Sequence, residues 1–118
     1  MTMLRILIVD DDVDFADGLM EVCELEGHEP VMVHKCTDGV AAFERLKFDV
    51  ALIDIGLPDV NGGECLRAIR AIRPDLPCFL LTGYSAEDIA DKGIEADSAE
   101  ILTKPIDPEA LIRLLAAI

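Results

Sequence analysis

Short apolar runs alternate with helically spaced apolar residues along the whole chain. The runs are ILIV (6–9), PVMV (30–33), VALIDI (50–55), CFLL (78–81) and EILT (100–103). Each is short enough for a buried strand, and each is followed by apolar residues three or four apart, the period of one helix face. Phe15, Leu19, Val22 and Cys23 mark a first face, and Val40, Phe43 and Leu46 a second. Cys65, Ile69 and Ile72 mark a third, and Leu111, Leu114, Leu115 and Ile118 the last.

The punctuation agrees with this division. Gly27 closes the first helix, Asn61-Gly62 opens the third, and Pro74 and Pro77 bracket its exit. Asp107-Pro108 reads as an N-cap followed by proline at the first helical position. The segment 85–93 opens on Ser-x-x-Asp, a weak capping box, and offers only Ala86, Ile89 and Ala90 as a face. It is the least strongly patterned of the expected helices. Five strands alternating with five helices imply an α/β domain whose parallel sheet is covered on both faces. In such sheets ligands bind at the carboxyl ends of the strands, so the residues just after each run are the ones to inspect.

Composition narrows the picture. The chain of 118 residues fits one domain, 1–118, and its 52% hydrophobic content with few aromatics predicts an aliphatic core. The net charge of −14 would repel nucleic acid and anionic membrane, which argues against direct binding to either. Cys23, Cys36, Cys65 and Cys78 form no C-x-x-C pair. They are expected to be reduced, mostly buried thiols in a cytoplasmic protein, without a disulfide or zinc framework. The N-terminal residues 1–5 lead into only four apolar residues, too few for a signal-peptide core or a membrane span.

The strand ends carry the chemistry. The first run passes directly into Asp10, Asp11 and Asp12, with Asp14 close behind. Carboxylates packed this closely raise one another's pKa unless a cation sits among them. Asp54 lies near the end of the third run, Thr82-Gly83 ends the fourth, and Thr103-Lys104-Pro105 ends the fifth. Side by side, these ends would gather carboxylates, a hydroxyl and an ammonium, a set suited to a divalent cation and a phosphoryl group. Mg²⁺ is a hard ion that takes carboxylate, water and phosphate oxygens. A carboxylate beside it can attack phosphorus to form an aspartyl phosphate, while hydroxyl and ammonium hold the charge on the phosphoryl oxygens.

ILIVDDD, ALIDIGLPDVNGGE, FLLTGYS and ILTKPID, in this order and spacing, resemble the receiver domains of two-component response regulators over essentially the whole chain. The resemblance implies a doubly wound, flavodoxin-like sheet in the order 2-1-3-4-5. It implies that Asp54 is the phosphoacceptor, that Thr82 bonds a phosphoryl oxygen and that Lys104 pairs with the phosphate. It also implies a Mg²⁺ (or Mn²⁺) site made by Asp10, Asp11, Asp54 and the main-chain carbonyl of Gly56, with Asp11 a direct ligand and Asp10 acting largely through water. Lys104-Pro105 becomes a candidate for a cis peptide. The implied function is a phosphorylation-activated switch that accepts a phosphoryl group from a histidine kinase or a histidine phosphotransfer protein. It would catalyse only its own phosphorylation and dephosphorylation. Its output would go to an effector or output domain through the face of the fourth helix, fifth strand and fifth helix. Ile101 stands where the family usually has Tyr or Phe, so the switch is expected to propagate without an aromatic rotation.

Bland readings stand beside these. Asp12 and Asp14 suit a helix N-terminus, where negative charge favours the dipole. Asp59 is expected to be merely solvated, and His28 and His34 incidental. Two competing functions are weighed: an aspartate-nucleophile phosphatase, and an interaction scaffold that is never phosphorylated. The first would want a second carboxylate two residues after the nucleophile, where Gly56 stands; the second has no need of Asp10, Asp11, Asp54, Thr82 and Lys104 together. A dinucleotide-binding fold is poorer still, because no G-x-G-x-x-G follows the first run. The chain ends at Ile118 in helical phase, which leaves both a stand-alone receiver and a piece of a longer regulator or hybrid kinase open.

Overall fold

The computed structural model describes residues 3–83 and 100–118. Five strands form one sheet: β1 (Arg5–Val9), β2 (Glu29–Val33), β3 (Val50–Asp54), β4 (Cys78–Thr82) and β5 (Glu100–Thr103). Their order is β2-β1-β3-β4-β5 and every neighbouring pair is parallel, as expected. Four helices are described: α1 (Val13–Leu25), α2 (Cys36–Ala42), α3 (Gly62–Ile72) and α4 (Pro108–Ala116). The fourth expected helix, 85–93, lies outside the described residues, as does its part in the expected output face; α4 corresponds to the fifth expected helix.

The continuous apolar runs resolve into two faces by the period-two alternation of strand side chains. Leu7, Val9, Ala51, Ile53 and Leu80 point to one side, where α2 and α3 cover them with Ala42, Cys65, Leu66 and Ile69. Ile6, Ile8, Val50, Leu52 and Leu81 point to the other, under Ala16, Leu19 and Cys23 of α1 and Leu111 and Leu115 of α4. Burying β1, β3 and β4 on both faces is what allows runs with no polar alternation.

The helix signals act largely as read. Asp12 caps α1, its carboxylate accepting from the Phe15 amide at 3.2 Å. Gly27 turns the chain after α1 at φ 82°, a conformation that favours glycine. Asn61 caps α3 by accepting from Glu64 N at 2.9 Å. Asp107 takes the N-cap position before Pro108, but its side chain accepts no capping bond. The periodic pattern overshoots in three places. Helix α2 ends at Ala42, so Phe43 and Leu46 pack on the core from the turn that follows. Ile72 and Ile118 are 45% and 43% exposed, beyond the point where their helices leave the sheet.

The cysteines depart from expectation. Cys36, the first residue of α2, and Cys65 of α3 are joined by a disulfide, whereas Cys23 and Cys78 are free and buried. Close spacing in sequence, the usual sign of a paired set of cysteines, is absent here. This pair lies 29 residues apart and is brought together only because α2 and α3 cover the same face of the sheet.

Candidate phosphoacceptor and cation site

Strand register assembles the site. Val9 pairs with Ile53, so the next residues along, Asp10 and Asp54, emerge side by side from β1 and β3. Asp54 in turn pairs with Leu81, and Thr82 with Thr103, which delivers Lys104 to the same end of the sheet. β1 connects to β2 on one side and lies beside β3 on the other, so the acids straddle the point where strand order reverses. A cleft there is lined by Asp11, Asp54, Gly56, Thr82, Gly83 and Lys104.

The ammonium of Lys104 bridges the two buried acids, 3.0 Å from Asp10 Oδ2 and 3.0 Å from Asp54 Oδ1. It also lies 4.2 Å from the centre of the Phe15 ring, a cation–π contact. Asp10 is fully buried, Asp54 is 8% exposed and Thr82 1%. Burial pushes the Asp10 carboxyl above its ordinary value; the Asp12 amide and Lys104 pull it back only in part, and the charge of Asp54 adds to the rise. Burial works against the Lys104 ammonium, but Asp10 and Asp54 outweigh it and hold its pKa above the ordinary value. The puzzle of the acidic strand end is thus answered in part from within the chain, by Lys104.

Local hydrogen bonds set each carboxylate. The Asp12 amide donates to Asp10 Oδ1 at 2.9 Å, and the Gly56 amide donates to Asp54 Oδ2 at 3.2 Å. Asp11, on the turn between them, is exposed. Carboxylate oxygens of Asp10, Asp11 and Asp54 come within 4.8 Å of one another. That all-oxygen, anionic donor set fits a hard divalent cation. The Lys104-Pro105 peptide is cis, as expected.

Three residues given no role in the sequence touch the site or its support. Phe15, read there as a core-face residue, supplies the ring beside Lys104. His34 places Nδ1 3.1 Å from the carbonyl oxygen of Asp10. Asp59 is not merely solvated: its carboxylate accepts from the amides of Cys36 and Thr37, each at 3.1 Å. It thereby caps α2 from a distant loop, in place of Lys35, which makes no side-chain cap. Slight burial raises the Asp59 pKa, but the bonds from Cys36 and Thr37 outweigh it and hold it below the ordinary value. No sequence signal marks these roles, because each partner lies on another element. Asp12 and Asp14 take the helix-terminal places expected of them. His28 accepts from the Leu4 amide at 3.0 Å, away from the cleft.

The sequence pattern of the response regulator receiver domain matches residues 6–116. The chain belongs to that family. Among its relatives is the response regulator protein FleR of Pseudomonas aeruginosa, 32% identical over 112 residues, which are 95% of this chain and 24% of FleR. The chain therefore spans about a quarter of the length of that relative. Two solved receiver domains share its architecture. A CheY-like receiver protein of Methanospirillum hungatei superposes with a TM-score of 0.86 at 32% identity, covering 98% of this chain and 93% of that one. The BeF3-activated DrrB receiver domain superposes at 0.83 with 29% identity, covering 98% and 97%.

Proposed function

We propose that this receiver domain is a phosphorylation-dependent signalling switch in which Asp54 accepts a phosphoryl group from a phosphohistidine. The observation that carries the reading is the Lys104 bridge between Asp10 and Asp54 at the mouth of the sheet. It places a fixed positive charge beside the nucleophile, where phosphoryl charge must be held. An oxygen of Asp54 attacks phosphorus, the phosphorus–nitrogen bond of the donor breaks, and its electron pair stays on the imidazole. The Gly56 amide, bonded to Asp54 Oδ2, orients the carboxylate for that attack. Thr82, buried at the end of β4, lines the same cleft, and its hydroxyl would bond a phosphoryl oxygen there.

Asp10, Asp11, Asp54 and the Gly56 carbonyl would hold Mg²⁺ or Mn²⁺. Such an ion supplies charge neutralisation between the acids and the incoming phosphoryl oxygens. Water attack on phosphorus later returns the Asp54 carboxylate and inorganic phosphate, so the domain turns over only its own phosphoryl group and is not an enzyme toward other substrates. The partners are a sensor histidine kinase or a histidine phosphotransfer protein, and an effector or output domain. The proposed place of action is the cytoplasm, where such kinases act on their regulators. The charge of −14 disfavours nucleic acid, so transcriptional output would come from other parts of a longer protein or from a partner.

Intact mass after incubation with a small phosphodonor and Mg²⁺ tests the reading. The wild type gains one acid-labile phosphoryl group; Asp54→Asn gains none, and omission of the metal suppresses uptake. A folded wild type whose mass does not change would refute it.

A further inference from the structure

We propose that Cys36 and Cys65 form a reversible thiol–disulfide exchange site, open to a dithiol through the groove beside Asp59, that sets how firmly α2 is fastened to the loop following Asp54.

The bridge joins two structures that meet the phosphoacceptor strand differently. Cys65 belongs to α3, whose first residue donates from Gly62 N to Ile55 O at 2.8 Å. A Cβ on Gly62 would sit 2.8 Å from the Asp54 carbonyl oxygen, so the start of α3 lies directly against the phosphoacceptor's backbone. Cys36 begins α2, a helix of seven residues that is too short to be stable alone. Two ties hold its first turn: the disulfide to Cys65, and the Asp59 carboxylate on the amides of Cys36 and Thr37. Both reach back to the same segment, 55–65. Opening the disulfide removes one of them.

The two cysteines differ slightly in access. Cys65 is fully buried, whereas Cys36, though only 4% exposed, lines a groove with Thr37, Val40, Asp59, Val60 and Glu64 and is the more reachable of the two. Attack therefore falls on the Cys36 sulfur. A thiolate of the dithiol forms a mixed disulfide with Cys36, and the Cys65 sulfur leaves with the bonding pair and takes a proton. The second thiol of the reductant then displaces Cys36. The protein disulfide becomes two thiols, and the dithiol becomes its own disulfide. The carboxylates of Asp59 and Glu64 at the groove disfavour an anionic monothiol and favour an uncharged dithiol. The remaining cysteines do not compete: burial pushes the Cys23 thiol up to about 11, and it also raises Cys78, so both stay protonated near neutral pH. In a reducing cytoplasm such a pair is open, and it closes under oxidation, the pattern of redox-sensing rather than structural bridges.

The test equilibrates unphosphorylated protein in graded mixtures of reduced and oxidised dithiothreitol. Thiols are then trapped by alkylation after denaturation, counted by mass, and compared with amide exchange and thermal melting. Two of the four cysteines should be alkylated at the oxidising end and all four at the reducing end, with a single transition between. Reduction should lower the melting temperature by about 10 °C. It should speed amide exchange over residues 36–42 and 55–61 by about tenfold or more. Cys65→Ser should exchange like the reduced wild type in every mixture. Four thiols throughout, two thiols throughout in a folded protein, or a redox transition with no change in exchange would each overturn the proposal. Because no phosphodonor is present, these outcomes are separate from whether Asp54 is phosphorylated.

Discussion

The cleft beside Asp54 and the α2–α3 flank that adjoins it are held by different chemistry. In the cleft a single ammonium, Lys104, spans two buried acids at 3.0 Å each, and the arrangement depends on charge. On the flank a disulfide and a two-amide cap fasten α2 to the segment that starts α3. A cleft that accepts and releases a phosphoryl group, as proposed here, is served by ionic, exchangeable bonds of this kind. The flank meets the Asp54 backbone through close-packed main-chain contacts and is tied by one covalent bridge. Asp54 stands between them, its side chain in one region and its backbone against the other.

The largest expected effect breaks the flank. A Cβ at Gly62 would lie 2.7 Å from Ile55 Cα and 2.8 Å from Asp54 O, both main-chain atoms that cannot swing aside. Gly62→Ala should therefore cost about 3 kcal/mol in chemical denaturation and slow phosphoryl uptake by displacing Asp54. Gly18→Ala, at an exposed α1 position with nothing within 4 Å, serves as the contrast. It should stabilise by up to about 1 kcal/mol. Equal losses at the two glycines would mean that α3 does not press on β3.

The next effect breaks the cleft. Lys104→Met keeps most of the aliphatic stem but leaves Asp10 and Asp54 without their cation, and should cost about 2 kcal/mol at neutral pH. Because the folded-state pKa of Lys104 is raised, its contribution is fully present below the unfolded value of 10.5 and is lost as pH rises through the higher folded value. The difference in melting temperature between wild type and Lys104→Met should thus narrow above about pH 10.5. A difference that persists undiminished there would show that the lysine acts through packing alone.

Asp59→Ala is expected to have the smallest effect. Loss of the cap on the Cys36 and Thr37 amides should cost about 1 kcal/mol, and Asp59→Asn should recover much of it. The lowered pKa of Asp59 means that its contribution is present above the unfolded value of 3.8 and fades as pH falls through the folded one. If Asp59→Ala is neutral in both the oxidised and the reduced protein, the cap does not help to fasten α2.

The two regions also differ in how far the sequence reveals them. A buried strand carries its next residue to the edge of the sheet, so Asp10, Asp54, Thr82 and Lys104 could be read from where each apolar run stops. Parallel order did the rest, because every run delivers its end to the same side. The flank depends on where helices cross. Cys36 and Cys65 meet only through the packing of α2 on α3, and Asp59 finds its amide partners 22 and 23 residues away. Phe15 occupies a helical position that would serve equally well in a plain apolar face, and nothing in its spacing shows that its ring lies beside Lys104. The helical period also predicted burial for Ile72, which the last turn of α3 leaves exposed. Ile101 fits its expected strand, paired with Leu80, and is 37% exposed. No ring is present there to rotate, so a signal leaving Thr82 would have to travel by another route.

The carboxylate bridged to Asp10 by Lys104 should be the one that carries the phosphoryl group. Borohydride reduction of the freshly phosphorylated protein converts an aspartyl phosphate to homoserine, and peptide sequencing by mass locates it. Homoserine should appear at position 54 and nowhere else, and should vanish in Asp54→Asn. Homoserine at Asp10, Asp11 or any other position, or a phosphoryl group that yields none, would show that Asp54 is not the acceptor.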